Sequence, residues 1–224
     1  MESLSIIDLT HTLDPDKMSI YPGDPLLACC PVTTIPQDGY AVNSLSLGTH
    51  TGTHIDAPSH FIANGTTIDQ IALDMLVARP ALVVDLTYKK PETKISWDSD
   101  LAKYKERMKE GVILLLYTGW SAYWATPAYM DYPYLDKHAA EQILLTGVKV
   151  IGLDTLSPDQ IDGDEGYGVH EVILGTGGLI VENLTNLKAL AELQQEEGAT
   201  MVSIVPLTLK DCDGSPVRAF GWKA

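Results

Sequence analysis

Eleven residues, His50 to His60, read HTGTHIDAPSH and carry three of the chain's six histidines together with an aspartate. Measured from His50, the groups able to bind a metal or move a proton fall at offsets 0, 4, 6 and 10. All are even, and alternate residues of an extended chain share a face, so an extended or turning chain brings His50, His54, Asp56 and His60 together on one side. A helix would also join His50 to His54, but it would have to hold Gly52, two threonines and Pro58, all poor helix formers. Two imidazoles and a carboxylate at this spacing make a nitrogen/oxygen ligand set suited to Zn, Mn or Fe, and three protein ligands leave a position for water.

The rest of the chain must place that stretch. With 224 residues it is long enough for one domain spanning 1–224 with a sizeable core. Thirty acidic against 15 basic side chains give a net charge of −15, which argues against nucleic acid or an anionic membrane as a partner. Three cysteines, two of them adjacent (Cys29 and Cys30), do not form a disulfide framework. Met1, Glu2 and Ser3 open no signal peptide, and the longest apolar run, 112–117, is far too short for a bilayer. A cytoplasmic protein without membrane segments is the expectation.

Strands are predicted at 5–9, 28–35, 42–47 and 81–86, with a short helix at 68–77. Residues 98–110 read as a charged amphipathic helix closed by Gly111, and 112–117 as a strand buried on both faces. An aromatic-rich loop, 117–135, follows, then a helix capped by Asp136 and running to 145. Further strands are expected at 149–153, 179–182 and, last, 201–207, with helices at 170–174 and 187–197 and a polar, mobile loop at 154–168. Strands mixed with helices indicate an α/β domain.

The segment HTGTHIDAPSHF resembles the signature of the metal-dependent cyclase family, which includes bacterial kynurenine formamidases and isatin hydrolases. The resemblance extends over nearly the whole chain, through DLTH at Asp8, YPGDP at Tyr21, TGWSAYW at Thr118, GLDTLSPD at Gly152, and His170 with IVENL at Ile180. It implies a swivelling β/β/α fold, a mixed sheet or barrel wrapped by helices. It also implies that His50, His54 and Asp56 bind a first divalent ion, Zn or Mn, and that His170 and Glu182 complete the set in two-ion members. His60 matches the residue the family uses to move protons. The implied reaction is hydrolysis of a non-peptide amide C–N bond by activated water, in a homodimer or larger homo-oligomer acting on a small molecule.

Substrate choice is expected to lie with rings: Trp120, Tyr123 and Trp124, with Tyr21 from the first turn, either wall an apolar pocket or pack the core or a subunit interface. Formamidase members carry a tryptophan where Tyr21 stands and a different segment where TGWSAYW stands, so the amide class is implied without N-formylkynurenine itself. Two other readings of the ligand set are a 2-His-1-carboxylate iron oxygenase and a catalytically silent metal-binding or ligand-binding protein.

Overall fold

A computed structural model of the chain describes residues 5–224, so the reading of Met1, Glu2 and Ser3 lies outside the described residues. In chain order the strands are β1 (Ile7–Asp8), β2 (Ala28–Thr33), β3 (Val42–Ser46), β4 (His54–Asp56), β5 (Arg79–Asp85), β6 (Lys94–Ile95), β7 (Ile113–Tyr117), β8 (Tyr134–Leu135), β9 (Val150–Leu153), β10 (Leu179–Glu182), β11 (Thr200–Pro206) and β12 (Gly214–Lys223). The α-helices are α1 (Ile35–Asp38), α2 (Lys137–Leu145), α3 (Gly168–Gly175) and α4 (Leu187–Leu193). An eight-stranded mixed sheet runs in the order β1-β12-β11-β5-β7-β9-β10-β4 and closes on itself, because β12 also pairs with β4.

Alternation along the central strands separates two cores. Leu82 and Val84, Leu114 and Leu116, Ile151 and Leu153, and Ile180 face the layer made by α2 and α3. Their neighbours Val83, Ile113, Leu115, Val150, Leu179 and Val181 face the other way, onto Ile55, Val202, Ile204 and Leu190 of α4. A strand buried on both faces reads as a continuous apolar run, which is why 112–117 was recognisable in the sequence.

Several expectations are corrected. Residues 98–110 do not form a regular helix: a wide turn spans Trp97–Leu101 and a tight one Ala102–Arg107. The buried Asp100 collects Tyr88 Oη, Lys89 Nζ and the Ser96 amide at 2.7–2.8 Å, and these bonds override the helical propensity of the charged stretch that follows. Residues 68–77 form two short tight turns instead of a helix. The segment 201–207 is not the last strand, since β12 follows it, a strand that holds Gly214, Pro216 and Gly221, residues with little strand propensity. The loop at 154–168 is expected to be mobile, yet its first part is buried, with Tyr132 Oη donating to the Asp159 carbonyl at 2.8 Å.

Among the described residues β2 and β3 pair only with each other, as a separate two-stranded ribbon. Val32, Val42, Leu45 and nearby Leu26 and Ile35 are exposed on or beside it.

Candidate metal centre

β4 and β10 bring the first ligand candidates together. Their antiparallel register sets His54 directly opposite Glu182 and Asp56 opposite Ile180, so His54, Asp56 and Glu182 share the sheet face covered by α3, while Ile55 turns to the opposite core. α3 carries His170 down onto the same spot. Of the extended and turning forms that the spacing allows, His54 and Asp56 take the first and His50 and His60 the second. The chain turns before β4, with Gly52 at φ +67°, a conformation only glycine adopts freely, and after it a tight turn at Pro58–His60 swings His60 back. The four side chains converge, by two turns around a three-residue strand.

Oxygens of two carboxylates face two sets of nitrogens. Asp56 Oδ1 lies 2.8 Å from His50 Nδ1 and 3.3 Å from His54 Nε2, which is itself 3.3 Å from Glu182 Oε2. Asp56 Oδ2 and Glu182 Oε1 lie 3.7 and 3.4 Å from His170 Nε2. Both of these oxygens are buried and accept no hydrogen bond. A buried carboxylate oxygen without a partner is costly, on the order of 1–3 kcal/mol or more, and a cation is the partner its chemistry suits. The donors fit a divalent ion: ligand atoms of His54, Asp56 and Glu182 lie within 4.8 Å of one another, as do those of His50, Asp56 and His60. His54 and His170 are each fixed from behind, His54 Nδ1 donating to the Gly52 carbonyl at 2.8 Å and His170 Nδ1 to Asp159 Oδ2 at 2.6 Å. Such partners set the tautomer that leaves Nε2 facing the cluster.

Charge at the site is strongly coupled. Burial works against an imidazolium at His54, yet Asp56 and Glu182 outweigh it and raise the pKa to about 10. At His50 burial is likewise outweighed, by hydrogen bonds to Asp213 and Asp56, and the pKa rises to about 9. Burial opposes ionisation of Asp56, but His54 and the other imidazoles hold its carboxyl well below the usual range. The carboxylates thus attract positive charge, supplied by protons or by a metal competing for the same nitrogens. Raised folded-state histidine pKa values contribute stability fully present below about 6.5 and lost as pH rises through about 9 to 10. Chelator-treated protein is therefore expected to melt at progressively lower temperature from pH 7 to 10, while excess Zn or Mn reverses the trend by displacing those protons. A melting temperature that rises over this window without metal would contradict the assignment.

Three further polar residues belong to the site and escaped sequence reasoning. Asp213, in the loop before β12, contacts His50 Nε2 at 2.9 Å and His60 Nδ1 at 3.1 Å; those hydrogen bonds hold its own carboxyl far below the normal range. Asp159 supports His170, and Asn183, at φ +57°, donates to the Gly52 carbonyl at 3.0 Å. Asp159 lay inside the quoted GLDTLSPD segment; nothing local marks Asp213. Asp154 is a backbone anchor, taking the Thr118 and Gly119 amides at 2.8 Å.

The cluster forms the floor of a cavity of about 280 Å³ walled by Tyr21, Phe61, Leu156 and Tyr167, with Ser19, Asp24, Ser157 and Asn183 as polar neighbours. Tyr21 is among the lining residues, whereas Trp120, Tyr123 and Trp124 are not. Trp120 is buried with Tyr129, Tyr132 and Leu156 in a satellite core. Trp124 stacks on His11 with centroids 4.2 Å apart, and Tyr123 packs on Trp120 with its other side exposed.

A family model described as "Putative cyclase" matches residues 7–160. The kynurenine formamidase of Bacillus cytotoxicus is 30% identical over 222 residues, 98% of each chain. That of Geobacillus thermodenitrificans is 30% identical over 220 residues, 95% of each. A solved isatin hydrolase bound to the product analogue thioisatinate is similar at a TM-score of 0.85 and 23% identity, over 98% of this chain and 92% of that one. A structure described as a predicted metal-dependent hydrolase from Bacillus stearothermophilus gives 0.78 and 25%, over 99% and 100%.

Proposed function

Because the chain belongs to the cyclase family and is accordingly a hydrolase of amide bonds, we propose that it cleaves an aryl formamide or a cyclic amide at a centre of two divalent ions. The observation that carries this reading is the division of the Asp56 and Glu182 oxygens, one of each toward His54 and the other of each toward His170. With an oxygen of each carboxylate beside either imidazole, this donor set could hold two ions. His50, His54, Asp56, His170 and Glu182 would hold Zn or Mn. When bound, such an ion polarises a carbonyl and makes its water acidic enough to supply hydroxide near neutral pH.

The chain's own residues supply the rest. His60 lies on the cavity side, its ring 4.0 Å from that of His50. It takes the proton of the attacking water and returns it to the departing nitrogen: the carbonyl carbon gains oxygen, the C–N bond breaks, and amine and carboxylic acid leave. Tyr21, Phe61 and Tyr167 accommodate a flat ring. The lining includes Asp24 and no lysine or arginine, which favours a neutral substrate over one bearing a carboxylate. A facial-triad oxygenase needs only three ligands; His170 and Glu182 at the same centre support the hydrolase over it. One observation favours a second role for His60, its place within 4.8 Å of the His50 and Asp56 donor atoms, which would make it a ligand.

The exposed β2–β3 ribbon supports a homodimer, since an isolated two-stranded ribbon is marginal in water and this one exposes Val32 and Leu45. Cys29 and Cys30 on it are free, exposed thiols, which suits a reducing, cytoplasmic setting. Among the described residues no helix is long and apolar enough to cross a membrane. The test is to assay purified protein on formanilides, isatin-type lactams and N-formylkynurenine, with bound metal quantified and mass in solution measured by sedimentation. Hydrolysis lost on chelation and restored by Zn or Mn, fastest on uncharged substrates, is expected. Full activity in metal-free protein would end the proposal, and a monomeric mass would end the dimer.

A further inference from the structure

One carboxylate ties the ligand histidine to the proton-moving histidine. Asp213 Oδ2 accepts from both His50 Nε2, at 2.9 Å, and His60 Nδ1, at 3.1 Å, and its Oδ1 accepts from Thr49 Oγ1 at 2.9 Å. Among the described residues it is the only side chain hydrogen-bonded to the His60 ring. We infer that Asp213 is a positioning residue that holds His60 in the orientation and tautomer needed for proton transfer while anchoring His50 to the metal centre. The inference rests on the acid/base reading of His60 given above.

The placement of Asp213 is built into the fold. Its carbonyl accepts from the Ala57 amide at 2.9 Å, and the next residue, Gly214, pairs with Asp56 across β12 and β4. A Cβ at Gly214 would lie 2.8 Å from the Ile55 carbonyl oxygen and 2.9 Å from His50 Cε1, so glycine there lets the loop approach the histidines closely. The consequence for each ring is the same. With the N–H of His60 committed at Nδ1, its Nε2 keeps the lone pair that accepts the proton; with an N–H of His50 committed at Nε2, its Nδ1 faces Asp56 Oδ1 at 2.8 Å, a gap that a proton fills and a metal could take over. A carboxylate that orients a histidine base is the third member of the nucleophile–base–orienter arrangement, here shared with a metal ligand, as partners of metal-bound histidines commonly are. The Asp213 side chain is 39% exposed, so its replacement leaves no buried hole and the variants are expected to fold.

The experiment is a double-mutant cycle using Asp213→Ala, His60→Ala and the combination, with Asp213→Asn as the isosteric control, each checked by thermal melting and metal content. An activated substrate such as p-nitroformanilide, whose anilide leaves with less help from an acid, keeps the slow variants measurable. With metal in excess, so that weaker anchoring of His50 does not empty the site, Asp213→Ala is expected to lower kcat by about 10- to 100-fold with KM nearly unchanged. In the His60→Ala background it should cost less than about threefold, because the ring it orients is gone. Asp213→Asn, retaining one acceptor oxygen for two N–H donors, should fall between wild type and Asp213→Ala. Equal losses in both backgrounds, or unchanged kcat, would overturn the inference while leaving His60 in its role. Loss of metal in step with activity would assign Asp213 to His50 alone and overturn it as well. Undiminished turnover in His60→Ala would remove the acid/base reading and this inference with it.

Discussion

Replacing Asp56 by Asn is expected to strip the protein of its metal and reduce kcat/KM by at least about 10³-fold, given the roughly nine-unit drop in water pKa that a bound ion supplies. Asp56 is fully buried and presents Oδ1 to His50 and His54 and Oδ2 to His170. Asparagine keeps the shape but removes the charge and turns one acceptor into an NH2 donor, which meets imidazole nitrogens or a cation on whichever side it points. Glu182 alone then remains to balance positive charge at the centre. Because the pairing of β4 with β10 and β12 runs through backbone groups, the sheet should form, and circular dichroism should match the wild type. Metal analysis after gel filtration, together with kinetics, decides the matter. Stoichiometric metal and near-normal activity in this variant would show that the cluster is not the reactive centre.

His60→Ala is expected to behave in the opposite way with respect to metal, keeping it, while kcat falls by about 10²- to 10⁴-fold, the usual range for removing a positioned acid/base. The His60 side chain is 28% exposed and borders the substrate cavity. Its truncation therefore opens a space that a small molecule can enter, and added imidazole should restore part of the rate. Rescue by imidazole at unchanged metal content would be hard to reconcile with a ligand role. A fall in bound metal matching the fall in rate would assign His60 to the centre formed with His50 and Asp56.

Much of the candidate centre was legible in the amino-acid sequence because its members are local. His50, His54, Asp56 and His60 sit within eleven residues, so short-range geometry brings them near one another almost regardless of the fold. An even spacing fits an extended chain and also two turns flanking a short strand, and the structure takes the second form. His170 and Glu182 entered through the family resemblance. Taken alone, a histidine near a helix start and a glutamate ending a strand are ordinary; the β4–β10 register that sets Glu182 opposite His54 is a property of the sheet. The aromatic segment shows the converse, because its composition announced a cluster of rings and was silent on which side of the cavity wall they would fall.

What the sequence determined by itself was the donor chemistry and the central strands. Imidazoles and a carboxylate at close spacing define a ligand set, and runs such as residues 113–116 are apolar throughout because both faces of that strand are buried. Only the tertiary structure decided the closure of the sheet by β12, the walls of the cavity and the position of Asp213, 153 residues from His60 and 163 from His50 in the chain. Periodicity reports which face of a segment is dry. Which distant segment will lie against that face depends on the order of the strands, and it is that order which brings a loop carboxylate within reach of two histidines.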